Sequence, residues 1–220
     1  MRRLDARALA PQQLCDAVAE VVYGGGTVIF PTDTVYGIGC DPAQPEALER
    51  IFALKNRPRE KPLGLYFGSV AELLEYAPEN RLAARAARAF LPGPLTIVVE
   101  RLPFVDGRIS AGLPSIALRV PDHGVCRAIL DRCGPLAATS ANVSGRPAFT
   151  GANGTELPAA DLFVDDGPTP LRAESTVIDL SREEPRLIRE GIITVAMLEK
   201  HLGPVEPLTR TEGAEPQDGA

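Results

Sequence analysis

The chain has 220 residues, 45% of them hydrophobic and 24% charged, with 20 glycines and 21 prolines. That is globular composition of a length suited to one large domain, with no apolar run near the roughly 20 residues that span a bilayer. The net charge of −6 argues against broad nonspecific nucleic-acid binding, although a local basic groove is compatible with it.

Chain order reads as alternating helices and strands. Residues 11–23 predict a helix, with Pro11 in its first turn, Leu14, Ala17, Val18 and Val21 on one face and Gly24–Gly26 ending it. Thr27–Phe30 is a strand that runs into a loop, Pro31–Asp41. A helix over Pro45–Asn56, a strand at Leu63–Phe67, and helices over Val70–Tyr76 and Arg81–Phe90 follow. Strands are expected at Leu95–Glu100 and Ser115–Val120, a helix at Asp122–Asp131, and strands at Leu136–Ala138 and Leu162–Val164. Thr176–Leu180 and Arg186–Glu190 pair as a hairpin through Ser181–Pro185. A closing helix, Thr194–Leu202, has Thr194 as its N-cap and Gly203 as its stop. Interleaved strands and helices define a single α/β domain over residues 1–203 on a mixed sheet. Residues 204–220 read as an acidic, disordered tail, since Gly203–Ala220 carries four acids against one base. With no signal-like block at the start, a cytoplasmic location is expected. Cys15, Cys40, Cys126 and Cys133 form no Cys-x-x-Cys pair and read as reduced core thiols.

Polar residues gather at strand-to-loop junctions, where α/β proteins tend to build ligand sites. Thr32-Asp33-Thr34 can bind a ligand or satisfy turn backbone. Lys55-Asn56-Arg57 and Lys61, at a helix end, either complement the helix dipole or form a fork for phosphates. Arg119 lies inside the apolar run SIALRVP, so its charge is paired in the core or faces a cavity as a carboxylate ligand. The segment Ala138–Gly145, ATSANVSG, is a donor loop for phosphate or sugar oxygens, or a capped turn. Ser175-Thr176 opens a strand and Arg189 ends its hairpin partner. His123 and His201 read as structural and surface residues. No phosphate-loop, dinucleotide or nucleophile-elbow motif occurs, and neither a protein nucleophile nor a metal cluster can be assembled. Cations and hydroxyls without a nucleophile suit phosphate-group or nucleotidyl transfer, which relies on positioning and charge stabilisation.

Seven segments resemble the YrdC-like threonylcarbamoyl-AMP synthase family: PTDTVYGIGCD (31–41), KNRPREKPL (55–63), PGPLT (92–96), ALRVPDH (117–123), TSANVSGRP (139–147), ESTVID (174–179) and LIREG (187–191). The resemblance implies a twisted mixed parallel/antiparallel sheet with flanking helices and a basic concave groove, in the family's short, single-domain form. It implies that L-threonine, bicarbonate and ATP give threonylcarbamoyl-AMP and pyrophosphate for tRNA modification, with Mg²⁺ on the phosphates and the tRNA threonylcarbamoyl-transfer machinery as partner. Thr34, Tyr66, Arg119, Ala138 and Ser175 would hold L-threonine. Arg57, Lys61, Ser115, Ser140, Asn142, Ala148 and Arg189 would hold ATP, and Lys55 and Arg57 would be catalytic. Tyr66 stands where many members have histidine, and Ala148 where many have serine. Two other readings stay open: a double-stranded RNA-binding module, and carbamoyl or adenylyl transfer to a different acceptor amine.

Overall fold

The computed structural model describes residues 1–77, 79–152 and 154–207. In chain order the elements are β1 (Arg2–Asp5), α1 (Pro11–Tyr23), β2 (Val28–Phe30), β3 (Gly37–Cys40), α2 (Pro45–Lys55), β4 (Gly64–Tyr66), α3 (Val70–Glu75) and α4 (Arg81–Phe90). There follow β5 (Leu95–Glu100), β6 (Ser115–Arg119), α5 (Gly124–Cys133), β7 (Leu136–Ser140), β8 (Leu162–Asp165), β9 (Thr176–Asp179), β10 (Arg186–Arg189) and α6 (Val195–Leu202). Among the described residues the strands form one mixed sheet in the order β1-β8-β2-β3-β7-β4-β6-β5-β9-β10. The expected hairpin is present, with β9 and β10 antiparallel.

Strand side chains alternate between faces, and here the two faces have different fates. Ile97, Val99, Ile116, Leu118, Leu65 and Ile178 point to one side, beneath α2, α3, α4 and α6, in the larger core. On the other side α1 and α5 cover only the β8-β2-β3-β7 portion, where Leu14, Val18 and Val22 meet Ile129, Leu130, Phe30 and Leu162. The rest of that face, over β7, β4, β6, β5 and β9, carries the candidate cleft.

Two strands differ from the sequence reading. β1 is a short edge strand whose charged residues show no alternation, and it is recruited by parallel pairing with β8. β3 lies inside the segment expected to be a loop. Its Gly37 and Gly39 are needed because the Phe30 ring packs across that face: a Cβ at Gly37 would sit 3.0 Å from it. Such a ring, fully buried, contributes about 1.5–3 kcal/mol. α5 starts two residues later than expected, because His123 is its N-cap and accepts from the Cys126 amide at 3.5 Å. Thr194 caps α6 as expected. The expected tail boundary shifts as well. Val205 is buried and Glu206 bridges to Arg186, so residues 204–207 belong to the folded domain. The remainder, 208–220, lies outside the described residues.

Candidate functional site

The uncovered half-face forms a cleft of about 440 Å³, within the usual range for small-ligand sites. Its floor is low because three cross-strand neighbours are small. Gly64 pairs with Ala117 on β6 and with Ala138 on β7. A Cβ at Gly64 would meet the Ala117 carbonyl at 3.1 Å, so the floor admits no larger residue without adjustment. Val35, Val98, Val177 and Ile188 make the apolar wall, and Arg57, Lys61, Arg119 and Arg189 supply positive charge.

Each cation is held differently. Asn56 ends α2 in the left-handed conformation (φ 48°) and turns the chain so that Arg57 reaches the cleft. The Arg57 guanidinium donates to the carbonyls of Lys61 (3.0 Å) and Pro62 (2.7 Å), which brings the Lys61 loop to the rim. Burial lowers the Arg57 pKa from its ordinary value, though guanidinium stays charged in proteins. Arg189 donates to the Ser175 carbonyl (2.9 Å), the Ser175 hydroxyl (3.2 Å) and the Glu174 carboxylate (2.9 Å). Ser175 Oγ also lies 3.0 Å from Thr96 Oγ1.

Arg119 is fully buried. Its Nη2 donates to Asp33 at 2.6 Å, its Nε donates to the Gly93 carbonyl at 3.2 Å, and its guanidinium lies 5.8 Å from the Tyr66 ring centre. Arg119 is thus ion-paired and also lines the cleft. Burial pushes the Asp33 carboxyl up, against the opposing pull of Arg119. Asp33 Oδ2 is buried without a hydrogen-bond partner.

Of the residues singled out by sequence, Arg57, Lys61, Tyr66, Arg119, Ala138, Ser140, Ser175 and Arg189 line this one cleft. The others lie outside its lining. Lys55 is buried beneath the rim, where its ammonium donates to the Ser140 carbonyl, to the Asn142 carbonyl at 2.5 Å and to Asn142 Oδ1 at 3.4 Å. The Ser144 amide donates back to the Lys55 carbonyl, so Lys55 clamps the 140–144 loop onto α2. Burial first, and then the charge of Arg57, push the Lys55 pKa down to about 7. Asn142 is consumed within the same loop, donating to the Arg146 carbonyl at 2.6 Å. The Thr34 hydroxyl is buried 3.1 Å from that of Thr32, outside the lining. Ser115 begins β6 on the face of Ala117 and Arg119 but beyond the lining, and Ala148 is half-buried in the loop after β7. Sequence reasoning left out Thr96 and Glu174, although both fall inside the quoted motifs PGPLT and ESTVID.

A mixed sheet clothed by helices on one face and half bare on the other, with a cation-lined trough on the bare half, defines the YrdC-like class of α/β domain. The family model for Sua5, YciO and YrdC, described as "Telomere recombination", matches residues 20–191. The chain belongs to this family. It is 36% identical over 204 residues to a Mycobacterium leprae protein assigned as a threonylcarbamoyl-AMP synthase, covering 89% of this chain and 92% of that one. It is 37% identical over 187 residues to the threonylcarbamoyl-AMP synthase of Bacillus subtilis, covering 81% of this chain but 53% of the relative. The crystal structure of Pyrococcus abyssi Sua5 complexed with L-threonine superposes with a TM-score of 0.83 at 33% identity, over 94% of this chain and 61% of that one. The chain thus spans little more than half the length of these last two proteins.

Proposed function

We propose that this chain forms threonylcarbamoyl-AMP and pyrophosphate from L-threonine, bicarbonate and ATP, supplying an activated group for adenosine modification in tRNA. The observation that carries this reading is the convergence of Arg57, Lys61, Arg119, Ser175 and Arg189 on one cleft of a chain belonging to this family. In the first step the threonine amine and bicarbonate give a carbamate and water. A carbamate oxygen then bonds to the α-phosphorus of ATP as the bond to the bridging oxygen breaks, and pyrophosphate leaves with that electron pair. The attacking oxygen belongs to the substrate, so the protein's contribution is positioning and charge stabilisation.

Arg119 takes the threonine carboxylate, and the Gly64, Ala117 and Ala138 floor accommodates a small side chain beside the Ser175 and Thr96 hydroxyls. Arg57, Lys61 and Arg189 take phosphate oxygens and offset the charge that grows on departing pyrophosphate. Tyr66 supports Arg119 with its ring face, where many relatives are expected to carry histidine. Lys55 and Asn142 act one layer down, by holding the Ser140 loop in place.

Among the described residues no group of three or more His, Cys, Asp or Glu side chains is placed to hold a metal ion. Glu174 is the one carboxylate among the residues lining the cleft. That donor set fits an ion carried in on a nucleotide, with Glu174 as its protein ligand. Mg²⁺ bound in this way offsets charge on the phosphate oxygens. Among the described residues no helix is long and apolar enough to cross a membrane, and we assign the reaction to the cytoplasm, with the threonylcarbamoyl-transfer machinery downstream.

The test is to incubate the protein with ATP, Mg²⁺ and bicarbonate, with and without L-threonine, following pyrophosphate and the acyl-adenylate by mass spectrometry. Threonine-dependent formation of both is expected. Pyrophosphate release that ignores threonine refutes the reading.

A further inference from the structure

The cleft holds its cations in two electrostatic states. Among the described residues Arg57 meets only neutral backbone carbonyls. Arg189 shares Glu174 in a pair whose side chains are 42% and 44% exposed, so solvent screens it. Arg119 is different: it is buried, and Asp33 at 2.6 Å, also buried, matches its charge. Among the described residues Asp33 Oδ2 has no hydrogen-bond partner, and besides Arg119 the carboxylate has the backbone of Asp33 and Asp122 as polar support.

We propose that Asp33 is a positioning residue that sorts the two anions of the reaction, reserving Arg119 for the carboxylate of an amino acid and turning phosphate away from it. This deepens the reading of the cleft given above and rests on it. Two of the five guanidinium N–H groups of Arg119 are committed, one to Asp33 and one to the Gly93 carbonyl, and its Cζ lies over the Tyr66 ring. The guanidinium is thereby fixed with further donors for a flat, bidentate partner. Charge then discriminates. A carboxylate adds one negative charge to a neutral pair, whereas a phosphate group adds about two, and Asp33 repels each in a medium that screens poorly. Among the described residues no buried carboxylate pairs with Arg57 or Arg189 to oppose a polyphosphate.

The experiment first establishes threonine-dependent pyrophosphate release by the native protein; its absence overturns the underlying reading and this inference with it. Asp33→Asn then keeps the shape and removes the charge. Losing the charge-assisted bond that anchors Arg119 outweighs the relieved repulsion of a single carboxylate charge, so the KM for L-threonine should rise about tenfold while the KM for ATP changes less than about twofold. Inorganic phosphate at millimolar concentration should not compete with L-threonine in the native protein and should do so in Asp33→Asn. Unchanged threonine KM and phosphate response overturn the proposal. So does a parallel rise of both KM values with a lowered melting temperature, the sign of a merely structural role. If Asp33→Asn does not fold, the native protein still decides. The phosphonate analogue of threonine, similar in shape with a more highly charged head, should fail to compete with L-threonine, and competition as strong as that of L-threonine itself overturns the proposal.

Discussion

Replacing Lys55 with methionine removes an ammonium that three oxygens surround, and its effect on stability should depend on pH in a way the structure dictates. The side chain is 1% exposed, and burial holds its pKa near 7 against an ordinary 10.5. Below pH 7 two effects oppose each other. Each carbonyl left without its donor costs about 1–3 kcal/mol, while relief from burying a charge returns about 4–5 kcal/mol for that displacement. The variant should therefore melt close to the native protein at pH 6. Above pH 7 the folded lysine releases its proton while the unfolded one keeps it. The unfolded state then binds more protons, and native stability rises with pH. The neutral amine still has two N–H donors for the Ser140 and Asn142 carbonyls, leaving out Asn142 Oδ1, the longest contact at 3.4 Å. Methionine does not titrate, so the native advantage should widen by about 2.3 kcal/mol between pH 7 and pH 9. For a chain of this size that is about 5–9 °C in melting temperature. Circular-dichroism melts of both proteins at pH 6, 7, 8 and 9 measure it. A difference that stays constant across that range refutes the argument.

Three further outcomes are expected. Arg57→Ala should lower kcat/KM for threonine-dependent pyrophosphate release by about 10²–10³ with an unchanged far-ultraviolet spectrum; near-normal turnover contradicts the site. Gly64→Val should raise the floor into the cleft and increase the KM for L-threonine about tenfold or more, with about 1–3 kcal/mol of destabilisation from crowding the Ala117 carbonyl, read by substrate titration and urea unfolding. The thiols should be inert in the native state, because burial pushes Cys40 up to about 12 and Cys133 up to about 11. Fewer than about one thiol per chain should react with a disulfide reagent at pH 8 within minutes, and rapid labelling of several contradicts the packing.

Periodicity made the helices and most strands legible, since residues such as Leu48, Ile51 and Phe52 fall on one face whatever surrounds them. β1 and β3 were hidden because their identity depends on partners. Arg2–Asp5 is a strand only because β8 offers an edge, and Gly37–Cys40 needs its glycines for the Phe30 ring. The cleft residues were legible through polar clustering and family motifs, but the division of labour among them was not. Thr34 and Lys55 carry the chemistry expected of ligand contacts, yet they face inward to hydroxyl and carbonyl partners. Asp33 belongs to a polar cluster visible in the sequence, while its pairing with Arg119 joins residues 86 positions apart. Spacing in the chain carries no sign of such a contact.

The half-bare sheet has a consequence for how variation spreads through this protein. Leu118 lies wholly within the larger core, while its neighbours Ala117 and Arg119 stand in the cleft on the reverse of the same strand. A change of volume beneath the sheet must therefore displace the substrate platform, because no flexible loop lies between them to absorb it. Substitutions under β4, β5 and β6 should reveal themselves as altered selectivity while the protein still folds, and enzymes of this plan would drift in substrate choice from the back of the sheet as readily as from the front.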